Sequence, residues 1–252
     1  AMLGVEGGHM IENDLNKLDV LYKRGMRYMT ITWNNSTDWA TSAAYETAPS
    51  KSPPEGETLK DSARKIGLTE FGISVIKRMN ELVIMVDVSH LGEQSFWDIT
   101  KITTKPIIAS HSCVWNLCPH RRNLKDDQIK AIAKTGGVVF LNFYAGFIDS
   151  TYEKKIAALL KLHQAEVDSL IQKGNQKDYA GIMIAEKYKA EVTRLRPPLS
   201  LLLDHLDYIV RLVGVDHVGM GSDFDGIEAP PLELNGVEDY PLVTKGLLKR
   251  GY

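Results

Sequence analysis

Residues 82–90 read Leu-Val-Ile-Met-Val-Asp-Val-Ser-His, an apolar run that ends in polar residues. The run is continuous rather than alternating, which is typical of a strand buried on both faces of a parallel sheet. The segments on either side have apolar residues at helical spacing: Phe71, Val75 and Met79 before the run, and Phe96, Ile99 and Ile102 after it. This order of helix, strand and helix predicts an α/β fold.

Five more apolar runs of this kind occur along the chain, at residues 3–6, 27–33, 106–111, 137–144 and 217–223. Helical patterns separate them, for example Leu15, Leu18 and Leu21 ahead of Gly25, and Ile129 and Ile132 between a candidate N-cap at Asp126 and a stop at Gly136. With right-handed crossovers, this alternation predicts either a doubly wound sheet or a (β/α) barrel.

Residues 152–196 interrupt the alternation. The segment is rich in Lys, Glu, Gln and Ala, has apolar residues at helical spacing, and precedes Pro197-Pro198. We expect a helical insertion that turns near Gly174-Asn175, within a single barrel domain over residues 1–252. Its acids and bases are mixed throughout, which indicates a solvated helix face.

Composition excludes several classes of protein. The 252 residues include 30 Lys and Arg against 32 Asp and Glu, so the net charge of −2 gives no sign of nucleic-acid binding. No apolar run approaches the roughly 20 residues that cross a bilayer, so no membrane segment is expected.

The compartment is not determined: cytoplasmic, or periplasmic or extracellular if an upstream signal has been removed. Cys113 and Cys118 are expected to be reduced.

Polar residues follow four of the apolar runs: Glu6, His90, His111 and Asp223. Each has an ordinary interpretation, as a hydrogen-bonded loop residue or a helix cap. The carboxyl ends of parallel barrel strands converge on one face, however, so the four together favour a shared site. Imidazole and carboxylate suit zinc or a similar divalent ion, which activates water. His9, His120, His205 and His217 are not assigned to this site.

The chain resembles the renal (membrane) dipeptidase family of zinc metallopeptidases. The resemblance rests on an ordered set of motifs that covers most of the chain outside residues 152–196: residues 4–9 (GVEGGH), 86–90 (VDVSH), 110–112 (SHS), 121–123 (RRN), 142–144 (NFY) and 221–226 (GSDFDG).

The resemblance implies a (β/α)₈ barrel that hydrolyses dipeptides or similar small amides, with two zinc ions sharing a bridging carboxylate and a bridging hydroxide. Matched position by position, Glu6 is the bridging ligand, and His90 and His111 are the imidazole ligands of one zinc. Asp223 matches the acid/base residue, and Arg122 matches the residue that holds the substrate carboxylate. A guanidinium suits that role because it binds carboxylate bidentately.

Three features depart from the family. Its first zinc is held by a His-x-Asp pair on a strand before the bridging glutamate, whereas only five residues precede Glu6 here. A family position that is often a histidine is Trp33. Six strands are visible instead of eight, so we expect a chain truncated at the N-terminus and at the C-terminus.

Truncation leads to further expectations. The chain alone should bind one zinc or none tightly and be poorly active until a segment carrying His-x-Asp is present. Unpaired strand edges should be completed by a companion fragment or by association between copies of the chain.

Two alternatives remain from the sequence. One is a metal-dependent barrel hydrolase acting on a lactone, a phosphoester or a deaminable base, although Arg122 favours a substrate with a free carboxylate. The other is a non-catalytic or binding fragment of this fold that another segment completes.

Overall fold

The computed structural model describes residues 2–48 and 65–252, and six parallel strands form the centre of this part of the chain. The strands are β1 (Leu3–Glu6), β2 (Met26–Thr30), β3 (Met85–Asp87), β4 (Ile107–Ile108), β5 (Val139–Leu141) and β6 (Val218–Met220). Each falls on one of the six predicted apolar runs, and helices connect them. The α/β class is therefore confirmed.

The strands follow one another in space in the order of the chain. Parallel pairing joins β1, β2, β3 and β4 into one sheet and pairs β5 with β6. A parallel bridge between Ala109 and Val139 links the two sheets, and the Phe140 N–H donates to the Ala109 carbonyl at 2.7 Å. Sequential parallel order is the order of a (β/α) barrel. Within the described residues β1 and β6 do not pair, so a complete barrel is not shown.

The middle strands carry the core, and the outer strands are more exposed. Met29, Val86 and Ile107 are at most 1% exposed, whereas Leu3 of β1 is 60% exposed. The prediction of strands buried on both faces is therefore wrong for β1. β1 is exposed because, among the described residues, it has a strand neighbour on one side only.

Helices α1 to α6 lie between or just after the strands: α1 (Leu15–Lys23), α2 (Ala43–Thr47), α3 (Glu70–Leu82), α4 (Glu93–Ile102), α5 (Asp126–Lys134) and α6 (Ala145–Ile148). Thr69 caps α3 by accepting the Gly72 N–H. The N-cap of α5 is Lys125 rather than the predicted Asp126. The Gln128 side chain accepts the Lys125 N–H, which fixes the start of the helix one residue earlier.

Four helices occupy the interrupting segment: α7 (Tyr152–Leu162), α8 (Gln164–Gln172), α9 (Lys177–Lys187) and α10 (Lys189–Leu195). The chain reverses between α8 and α9, where Gly174 has a φ of +94°. Each arm is broken once, at His163 and at Tyr188, and these two rings stack with centroids 3.6 Å apart. A small apolar cluster of Val167, Ala180 and Ile184 lies apart from the main core.

Helix α11 (Leu199–Val213) begins after Pro197-Pro198 and buries Leu202, Leu206 and Ile209 in the main core. Helix α12 (Tyr240–Arg250) follows β6. Short 3₁₀ helices lie at Gly8–Ile11, Val215–His217 and Val237–Asp239. In the part of the chain that the structure describes, no helix has both the length and the apolar character to span a membrane.

Candidate metal centre

The carboxyl ends of β1, β3 and β4 bring Glu6, His90 and His111 together. Glu6 Oε1 lies 3.2 Å from the Nε2 atom of each histidine, and the two Nε2 atoms are 2.9 Å apart. Both imidazoles are buried, whereas Glu6 remains about half exposed. Within residues 2–48 and 65–252, this is the one group of three or more His, Cys, Asp or Glu residues placed to hold a metal ion.

Backbone pairing fixes the ends of these strands. The Gly7 N–H donates to the Thr30 carbonyl at 3.1 Å, and the Ile31 N–H donates to the Asp87 carbonyl at 3.2 Å. Beyond its strand, His90 adopts a left-handed φ of +66°. This conformation costs a residue other than glycine about 1–3 kcal/mol in free energy, and it persists only where the surrounding structure imposes it. Such strain is characteristic of functional sites.

The Nδ1 atom of each imidazole has its own partner. His90 Nδ1 lies 3.1 Å from Asn34 Oδ1, an acceptor, so His90 donates from Nδ1. His111 Nδ1 lies 2.7 Å from Ser110 Oγ, whose hydrogen is donated to Asp87 Oδ2 at 2.5 Å. Ser110 Oγ therefore accepts from His111 Nδ1–H. When a ring is neutral, its Nε2 lone pair therefore faces Glu6.

A cation fits this arrangement better than the three side chains alone. Burial, and then the charge of Arg122, lowers the pKa of His90 to about 3, so its ring is neutral at pH 7. With both rings neutral, as metal binding requires, two nitrogen lone pairs and a carboxylate face one another. A zinc–nitrogen bond is about 2.0–2.1 Å long, so nitrogens 2.9 Å apart can both reach one ion.

Asp223 and Asn142 follow β6 and β5 and form the second part of the site. Asn142 is fully buried, accepts the Tyr144 N–H on Oδ1 at 2.6 Å, and donates from Nδ2 to Asp223 Oδ2 at 3.0 Å. Burial raises the pKa of Asp223, and the amide of Asn142 opposes that rise. Asp223, like His90, has a left-handed φ, here +64°. The result is a carboxyl group whose environment favours holding a proton.

Arg122 is buried beside the triad without a carboxylate partner in the described part of the chain. It donates from Nη2 to the His111 carbonyl at 3.3 Å, and its guanidinium carbon lies 5.4 Å from the centre of the Phe147 ring. Burial lowers the pKa of Arg122 to about 10, so it is still a cation at pH 7. Arg122 is therefore not part of a surface salt bridge, whereas its neighbour Arg121 is exposed. A buried cation of this kind suits an anionic ligand.

Two cavities flank the triad. One of 310 Å³ is lined by Glu6, His111 and Asp223, together with Tyr28 and Thr30. The other, of 250 Å³, is lined by His90 and Arg122. Asp223 thus shares one cavity with His111, Arg122 shares the other with His90, and the two rings are in contact.

Some residues at this site were not assigned from the sequence. Asp87, Ser110 and Asn142 appeared there only as parts of motifs, although a charged residue inside an apolar run was a usable signal for Asp87. Asn34 lies in a loop and had no signal. Trp33 is about half exposed, with its ring centre 6.3 Å from that of His90, and contributes no ligand atom.

The unassigned histidines have other partners. His205-Leu206-Asp207 has His-x-Asp spacing, but it lies within α11. His205 Nδ1 accepts the Val114 N–H and its Nε2 donates to the Ile148 carbonyl, while Asp207 pairs with Arg250. His9, His120 and His217 likewise bond to backbone groups, those of Ser36, Arg122 and Gly137. None of these four rings joins the triad.

Comparison with known proteins points to one family. The family model described as Membrane dipeptidase (Peptidase family M19) matches residues 1–252.

Two solved structures are each 27% identical in sequence to the chain, with a TM-score of 0.71: a metallopeptidase from Rhodobacter sphaeroides liganded with a phosphinate mimic of the dipeptide L-Ala-D-Ala, and a metallopeptidase described as dipeptidase AC. Each match covers 100% of this chain and 57% of the other. The chain thus spans little more than half the length of these two proteins.

A third structure, the probable dipeptidase PvdM from Pseudomonas aeruginosa, is 24% identical with a TM-score of 0.72. That match covers 98% of this chain and 62% of the other. At this level of identity the similarity is one of fold.

Proposed function

The chain belongs to the membrane dipeptidase family, and we propose that it takes part in the metal-dependent hydrolysis of dipeptides, with zinc held by Glu6, His90 and His111. The observation that carries the proposal is the convergence of three ligand atoms, all within 3.2 Å of one another. Two imidazoles and a carboxylate are the donors that zinc takes in hydrolytic sites, where an open position remains for water or substrate.

A divalent ion bound here would polarise the substrate carbonyl and lower the pKa of a coordinated water molecule. The chain's own residues position the other reacting groups. Asp223 is proposed as the acid/base: it takes a proton from the attacking water and gives it to the departing amine. Burial raises the pKa of Asp223 from its ordinary value toward the working pH, where a general acid/base is most effective. Asn142 holds one carboxylate oxygen and thereby orients the group.

Arg122 is proposed to bind the free carboxylate of the substrate. It is a buried cation that lines the same cavity as His90 and has no carboxylate partner among the described residues. A dipeptide places its carboxylate a short, fixed distance beyond the scissile bond. A carboxylate on Arg122 therefore positions the substrate carbonyl relative to the triad, and it compensates the buried charge.

The substrate class is drawn from a relative. The metallopeptidase from Rhodobacter sphaeroides is liganded with a phosphinate mimic of L-Ala-D-Ala. We therefore take alanyl dipeptides as the first substrates to test. The amide Ala-Ala-NH₂ is the matched control, because it keeps the scissile bond and lacks the carboxylate that Arg122 would bind.

The test begins with metal content. The chain is loaded with Zn²⁺, dialysed and analysed for metal, beside His111→Ala and the control His217→Ala, whose ring bonds the Gly137 carbonyl away from the triad. We expect zinc to remain with the wild type and the control and to be lost from His111→Ala. With a segment carrying His-x-Asp supplied, zinc-loaded protein should hydrolyse alanyl dipeptides in preference to the amide. Equal zinc retention by all three proteins would show that the ligand assignment is wrong.

A further inference from the structure

The two imidazoles of the triad are anchored in different ways. The Nδ1–H of His90 donates to the amide oxygen of Asn34, a neutral and exposed side chain. The Nδ1–H of His111 donates to Ser110 Oγ, which in turn donates to Asp87. Asp87 is 0% exposed. Water can therefore replace the hydrogen-bond partner of His90, whereas His111 is connected through Ser110 to a buried carboxylate.

Asp87 has its orientation fixed from several sides. The N–H groups of Ser89 and Ser110 donate to Oδ1 at 3.1 and 2.9 Å, and the hydroxyls of Thr30 and Ser110 donate to Oδ2. No cation forms an ion pair with it in the described part of the chain. Hydrogen bonds alone hold this carboxylate, and each of them constrains where its lone pairs point.

This network leaves His111 one tautomer. A carboxylate only accepts, so the single hydrogen of Ser110 is committed to Asp87. Ser110 Oγ is then an acceptor toward His111, 2.7 Å away, and the ring hydrogen must lie on Nδ1. A histidine binds a metal only as the neutral ring, and in that form His111 Nε2 carries the lone pair and faces Glu6. The backbone N–H of His111 also donates to Ser89 Oγ at 3.0 Å, which fixes the ring's attachment point.

We propose that Ser110 and Asp87 are positioning residues for the metal: they lock His111 in the Nδ1–H tautomer and make it the stronger of the two imidazole ligands, whereas Asn34 contributes less through His90. The inference rests on the proposed metal site. Its physical basis is that a carboxylate behind a ligating imidazole fixes the ring and raises its basicity, and that loss of such a partner weakens metal affinity about 10- to 100-fold.

The test compares zinc affinities by competition with a chromogenic chelator. Ser110→Ala removes the hydroxyl and should bind zinc about 10- to 100-fold more weakly than the wild type. Ser110→Thr keeps a hydroxyl and should restore the affinity. Ser112→Ala is the matched control: this buried hydroxyl lies 3.4 Å from Ser89 Oγ and forms no hydrogen bond to either ring among the described residues, so the affinity should not change. Asn34→Ala should lose less affinity than Ser110→Ala.

A second readout needs no variant. In the zinc-loaded wild type, ¹H–¹⁵N spectra of the imidazoles should show His111 with a hydrogen on Nδ1 that exchanges slowly with solvent, and His90 with an Nδ1 hydrogen that exchanges faster. This measurement shows which nitrogen of His111 carries the hydrogen even where Ser110→Ala fails to fold. Ligation of zinc through His111 Nδ1, with the hydrogen on Nε2, would overturn the proposal.

Failure of the two proposals can be told apart. A wild type that binds no zinc contradicts the proposed metal site itself. A wild type that binds zinc while Ser110→Ala matches its affinity contradicts only the role of Ser110 and Asp87. Equal losses in Asn34→Ala and Ser110→Ala would refute the stated difference between the two rings.

Discussion

The four-stranded and two-stranded parts of the sheet contribute different chemistry to one site. Glu6 ends β1, and His90 and His111 follow the ends of β3 and β4; their ligand atoms lie within 3.2 Å of one another. Strands β5 and β6 end near Asn142 and Asp223, which form a single amide–carboxylate pair. Metal ligands must lie close enough to reach one ion, and parallel pairing of neighbouring strands brings their carboxyl ends that close. A proton-handling carboxyl group needs a suitable environment, which burial and one amide provide.

The first way to test this division is Asp223→Asn. The asparagine keeps the shape of the side chain but cannot carry the proton between water and amine. With a segment carrying His-x-Asp supplied to both proteins, we expect zinc content to stay at the wild-type level and kcat for dipeptides to fall about 10²- to 10⁴-fold. Metal analysis and steady-state kinetics on the same samples check this. Loss of zinc in Asp223→Asn would mean that the two parts of the sheet are not separable in function.

A large effect of a different kind is expected for Met29→Ala compared with Met220→Ala. Met29 of β2 is 0% exposed, whereas Met220 of β6 is only partly buried. Truncation of a buried methionine costs about 2–5 kcal/mol, so the free energy of unfolding should fall by that amount in Met29→Ala. Met220→Ala should lose less. Chemical denaturation followed by circular dichroism measures both, and equal losses would contradict the difference in packing between the two parts.

Arg122→Met should change binding and stability in opposite directions. With the same segment supplied, loss of a charge-assisted hydrogen bond of about 1.5–3 kcal/mol should lower kcat/KM for Ala-Ala about 10- to 100-fold, with little effect on the amide control. Methionine also removes a buried cation that has no carboxylate partner among the described residues, so the variant should be at least as stable as the wild type. Kinetics on both substrates and a thermal melt test the two halves. An equal loss on both substrates would argue against a carboxylate contact.

The smallest effect concerns the pH dependence of stability at Asp223. Its pKa is raised in the folded protein, so the group favours folding while it is protonated, and that contribution is lost as pH rises through the folded-state pKa. Asp223→Asn remains neutral and should therefore be more stable than the wild type at neutral pH. The difference should disappear below the unfolded pKa of about 3.9. Unfolding curves over this range decide it, and a variant less stable at neutral pH would contradict the sign.

Much of the fold could be predicted because its signals are local. The run at residues 82–90 contains β3, and Phe71, Val75 and Met79 lie on α3. Both could be predicted because the spacing of apolar residues over a short stretch indicates helix or strand. The exposure of β1 could not be predicted in this way. Leu3 belongs to an apolar run like the others, and only its place at the edge of the sheet leaves it exposed.

The sequence by itself determined which residues stand at the strand ends, and therefore that Glu6, His90 and His111 would share one edge of a parallel sheet. Tertiary structure decided which atoms of those residues face one another. Asn34, the partner of His90, lies 56 residues away from it in the chain. Asp87, which holds His111 through Ser110, lies 23 residues from Ser110. Asn142 and Asp223 are 81 residues apart. Tautomer, burial and proton affinity depend on such contacts, because a hydrogen bond or a change of local dielectric acts over a few ångströms in space, whatever the separation along the chain.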